Sequence, residues 1–195
     1  LTEALGFVTF PLSIGLALVA DRFVLLALGE KYLAAIVPLR LLAFYAGFRS
    51  ITAIFPHVLQ AVGQSRRAME FSLLALLILP IMFYAGARWH GAEGVALAWI
   101  VGYPLVMIPV FRAIFEVTAL RMPEYLRSAG PAIMGSLVMA AAVLAVRHLD
   151  APIGRLSIQA ALEVGTGILT YTGVMYAHYR ERMQGWISLI KEFRA

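Results

Sequence analysis

Between residues 40 and 60 the chain sets Arg40, Tyr45, Arg49, Thr52, His57 and Gln60 into an otherwise apolar run. At 100° per residue, Tyr45, Arg49, Thr52, Pro56 and Gln60 fall on one stripe of a helix, with Ile51, Ile54 and Val58 filling much of the rest. A guanidinium near the middle of a membrane span costs about 2.5–3.5 kcal/mol on insertion scales, so a stripe of this kind faces protein or water rather than lipid. Pro56 cannot donate to the carbonyl at Thr52, which then needs another partner. A kinked helix lining a wet cavity satisfies both observations. The competing reading pairs Arg49 with an acid and gives it a packing role. Asp21, Glu93 and Glu163 all lie near span ends, and of these Glu163 is the available partner. Arg40 lies on nearly the opposite face, where it can snorkel to the boundary. His57, without a visible carboxylate, reads as packed or cavity-lining before it reads as a proton relay.

The chain that carries this stripe has 195 residues, 62% hydrophobic and 14% charged, with a mean hydropathy of +0.84. Soluble domains hold about a quarter charged residues. Apolar runs of about 20 residues recur along the whole length, which defines an all-α membrane protein of about six transmembrane helices packed as a bundle. Cysteine is absent, which excludes disulfides and thiolate metal sites. His57, His90, His148 and His178 show no ligand spacing, so neither metal nor cofactor is expected. The net charge of +5 reads as basic cytoplasmic loops beside an anionic leaflet, with no nucleic-acid partner. The opening "LTEALGFVTF" resembles neither a signal peptide nor a natural start, and a piece of a longer membrane protein is expected.

Charge, proline and glycine bound six expected spans: 5–20, 33–62, 71–87, 95–114, 129–146 and 158–177. "DRFVLLALGEKY" is too short to cross and is expected at the interface. "GQSRRAME", "RWHGAEG" and "RHLDAPIGRLS" serve as short links, and the tail 179–195 as a cytoplasmic amphipathic helix. Gly91, Gly94, Ala96, Ala98, Ala140–Ala142, Gly165, Gly167 and Gly173 are expected at helix contacts. Trp89, Trp99, Tyr103, Tyr176, Tyr179 and Trp186 read as interface anchors, with sugar stacking as the alternative for Trp99 or Tyr103. Arg66, Arg67, Arg112, Arg121, Arg127, Arg180, Arg182, Lys191 and Arg194 gather on one side. Arg22, Lys31, Arg88, Arg147 and Arg155 lie on the other. The richer side is expected in the cytoplasm, with both ends of the chain.

The order of these features resembles the polysaccharide transporter family of oligosaccharide flippases, within the multidrug/oligosaccharidyl-lipid/polysaccharide exporter superfamily. The residues that carry the likeness are "FPLSIGLALVADRFVLLALGEKYLAAIVPLRLLAFYAGFRSI", "LQAVGQSRRAMEFSLL" and "GARWHGAEGVALAWIVGYPLVMIPVF". They cover about Phe10 to Arg112; Tyr32 stands where the family favours tryptophan. The likeness implies that the chain is the C-terminal part of a fourteen-helix exporter. Residues 1–128 then give four helices of the second lobe, and 129–178 two additional terminal helices. It further implies alternating access and a bacterial inner-membrane location. The partners implied are the bilayer, an N-terminal lobe of the same protein, and an undecaprenyl-pyrophosphate-linked oligosaccharide for lipopolysaccharide or exopolysaccharide. Guanidinium suits a pyrophosphate head group, so Arg49, Gln60, Tyr45, Thr52, His57 and Arg40 become the expected substrate-binding set. Alternatives are a drug antiporter of the same superfamily, disfavoured by the lack of a central acid, or a non-transporting scaffold. A membrane enzyme acting on the same glycan is disfavoured by the short outer links.

Overall fold

The leucine- and alanine-rich stretches between charges form long helices, and these helices are greasy outside rather than inside. A computed structural model describes the backbone over residues 2–118, 122–149 and 155–192, and side chains over 6–116, 130–148 and 155–177. The elements are α1 (Thr2–Ala27), a 3-10 turn (Glu30–Ala35), α2 (Ile36–Thr52), α3 (Phe55–Ala61), α4 (Ser65–Thr118), α5 (Met122–Leu149) and α6 (Leu156–Glu192). There is no strand among the described residues. Leu76, Leu77, Ile81 and Tyr84 on α4 are each 66–70% exposed, a surface that only hydrocarbon would solvate favourably. The chain is a membrane helical bundle.

Several boundaries differ from those expected. α1 runs through Asp21 and Arg22 to Ala27, so most of "DRFVLLALGEKY" belongs to the first span instead of lying apart on the interface. No proline or glycine stands between Ala20 and Leu28 to stop the helix. The second span is three pieces: the 3-10 turn, α2, and α3, which begins again with Pro56 in its first turn. α4 holds the third and fourth spans in one element, interrupted only at His90 and Gly91. Gly91 has φ 58° and ψ −131°, a backbone that residues with a Cβ avoid. The reversal folds limb 65–89 onto limb 92–118. At its mouth, Gly86 and Gly94 approach so closely that a Cβ on either would strike the other's backbone. Farther along, the Phe83 and Trp99 rings lie 4.8 Å apart.

By length and composition, four of the described helices could cross a membrane: 6–27, 30–61, 65–116 and 130–148. The third of these is the folded α4, whose limbs each match an expected span. α6 is not among the four over its described residues, where Gln159 and Glu163 lie within the apolar run. It continues unbroken to Glu192, so the expected tail helix is an extension of the sixth; the tail's side chains lie outside the described residues.

Packing orders the helices around α1, which lies against α2, α5 and α6, while α4 packs on α2 and α3. The α1–α2 seam is small and polar. Thr9 and Ser50 share a 2.6 Å hydrogen bond, and Gly47 lies against Ser13 so closely that a Cβ there would stand 3.1 Å from the serine Cβ. Small residues of this kind let helix backbones approach where lipid removes the hydrophobic drive. Of the other expected contact positions, Gly94 meets the facing limb of α4, Gly167 meets α5, and Ala96 and Ala98 are buried, whereas Gly165 and Gly173 face open space.

Candidate functional site

The helix that carries the stripe is interrupted between Thr52 and Phe55. Pro56 lacks the N–H that would return to Thr52, so α2 ends at Thr52 and the chain turns through Ala53 and Ile54 before α3 starts. Thr52, fully buried, donates its hydroxyl back to the Arg49 carbonyl at 3.1 Å. Its oxygen also lies 3.1 Å from the Tyr103 hydroxyl on the second limb of α4. Either hydroxyl can donate in that pair.

Tyr45 is buried two turns before Thr52, against Trp99 at 4.9 Å and edge-on to Tyr103 at 5.3 Å. Phe48 completes the group, edge-on to Tyr103 at 6.2 Å. Arg49 stands at the rim of this aromatic cluster and is exposed. Its Nη1 donates to the Tyr45 hydroxyl at 3.2 Å. Among the described residues no carboxylate lies within ion-pairing distance of it. A cation held by a neutral phenol keeps most of its donors free for an incoming anion. Beside Tyr45 opens a mostly apolar cavity of about 450 Å³, lined by Phe10, Ser13, Phe48, Ile100 and Ile133 among others.

The structure therefore brings together three of the six expected residues: Tyr45, Arg49 and Thr52. His57 and Gln60 are exposed on α3 and are not hydrogen-bonded to that trio among the described residues. Arg40 stands apart, 3.3 Å from Asp21. Glu163 is not the partner of Arg49; it lies 3.0 Å from Arg22 and 4.0 Å from Arg147. Trp99 and Tyr103, read from the sequence as interface anchors, instead wall the site. Their spacing of four residues, one helical turn, was the available signal.

Comparison with known proteins fits this architecture. The chain is 26% identical over 52% of its length to an uncharacterized membrane protein in the cps region of Klebsiella pneumoniae. It is 31% identical over 57% of its length to the teichuronic acid biosynthesis protein TuaB of Bacillus subtilis. A third relative, the lipopolysaccharide biosynthesis protein WzxC of Escherichia coli, is 26% identical over 65% of the chain. The matches span 21%, 22% and 28% of these relatives, so the chain corresponds to about a quarter of their length. No family model and no solved structure matches. The chain is a multi-pass helical membrane protein similar to membrane proteins of polysaccharide biosynthesis, and the likeness to the polysaccharide transporter family read from the sequence is borne out.

Proposed function

We propose that the chain is the C-terminal part of a flippase that carries an undecaprenyl-pyrophosphate-linked oligosaccharide across the bacterial inner membrane by alternating access. The observation that carries the reading is Arg49: an exposed guanidinium in an apolar span, held by Tyr45 and by no carboxylate among the described residues. A pyrophosphate presents oxygens that guanidinium binds by charge-assisted, potentially bidentate bonds. The Tyr45–Trp99–Tyr103 cluster, its tyrosines buried, gives it a rigid backing, and the neighbouring apolar cavity offers room for prenyl carbon. The remaining surface of the cavity belongs to an N-terminal lobe. The role is transport rather than catalysis, and both ends of the chain face the cytoplasm.

The test is transport of lipid-linked oligosaccharide by the full-length protein in vesicles. Arg49→Ala should insert at normal levels and lower the rate by about tenfold or more, the loss of one charge-assisted phosphate contact. Arg49→Lys should retain part of it, since charge survives and the fork does not. A normally inserted Arg49→Ala protein that transports at the wild-type rate would remove the reading.

A further inference from the structure

Five charged side chains meet where α1, α2, α5 and α6 converge, about 13 Å along α2 from Arg49 at helical rise. Arg22 of α1 is 7% exposed and Glu163 of α6 is 1% exposed, and their charged groups lie 3.0 Å apart. Asp21 of α1 accepts from Arg147 of α5 and lies 3.3 Å from Arg40 of α2. Arg147 also donates to the Leu18 carbonyl of α1 at 3.0 Å and stands 4.0 Å from Glu163. The chain of charges thus runs α2–α1–α5–α6–α1 without leaving the group. Near the other end of α1, the Tyr171 hydroxyl of α6 donates to the Phe7 carbonyl at 2.6 Å. Between the two ties Gly15 meets Met139 of α5.

Charges inside a span must find one another, and a pair this buried gives up its hydration only if the geometry holds. Sliding α6 along α1 by one turn would strand Arg22 and Glu163 in hydrocarbon. We propose that these charges form an ion lock that makes α1, α2, α5 and α6 one rigid body, so that the terminal helix pair travels with its lobe and does not slide against it. Arg22 and Glu163 are the positioning residues.

Two experiments on the full-length protein decide it. Cysteines at Gly15 and Met139, bridged by a short reductant-cleavable thiol cross-linker, should leave transport within twofold of the unbridged protein. A tenfold loss that reductant restores would show that α1 and α5 move past one another and would overturn the lock. Independently, Arg22→Gln and Glu163→Gln should each lower the thermal midpoint in detergent more than the double variant does, since one neutral partner abandons a buried charge and two do not. Single variants that melt with the wild type would also overturn it. If the wild-type protein transports nothing, the transport reading fails alone, and the melting comparison still decides the lock.

Discussion

Thr52 shows how much one hydroxyl does at a helix break. It donates to the Arg49 carbonyl one turn back and shares a hydrogen bond with the Tyr103 hydroxyl, all with no exposure. Thr52→Val keeps the shape and removes both bonds, leaving the tyrosine hydroxyl buried without its partner. The expected cost is about 1–3 kcal/mol, read as a lower melting midpoint of the purified protein. The site was half legible at this scale. Helical spacing alone gathers Tyr45, Arg49 and Thr52, but it also gathers Gln60, which lies exposed on α3 beyond the interruption at Ala53 and Ile54. The lock was not legible. Arg22 and Glu163 are 141 positions apart, and Asp21 and Arg22 read as the end of a span when apolar residues in fact resume beyond them.

At the scale of elements, the α4 hairpin makes the sharpest demands. Gly86 and Gly94 have no room for a methyl group against backbone, which cannot rotate aside as a side chain can. Gly94→Ala should cost about 1–3 kcal/mol through overpacking. Gly173→Ala, on open surface within α6, should be neutral or gain up to about 1 kcal/mol from helix propensity. The difference between their melting midpoints checks the hairpin directly. Hydropathy located both limbs within a few residues, because a run of Leu, Ile and Val is visible without knowing its partner. The two-residue turn was hidden: "RWHGAEG" looks like a loop, yet Arg88 and Trp89 remain helical and only His90 and Gly91 leave the helix.

For the whole molecule, composition carried most of the fold. An apolar fraction of 62% with exposed leucines leaves the bilayer as the solvent. The proposed orientation makes its own prediction, which the cysteine-free chain suits. A single cysteine at Ser65 should react with an impermeant maleimide only from the cytoplasmic side, and one at Ala92 only from the other. Both positions are exposed at opposite ends of the α4 limbs. The reverse pattern would invert the bundle while leaving its packing intact. The tight reversal at Gly91 bears on biogenesis as well. With two residues between them, the limbs leave almost no slack for one to settle in lipid while the other waits in the translocon. They should partition sideways together, as a preformed pair, and a mutation that slows the second limb should delay the first.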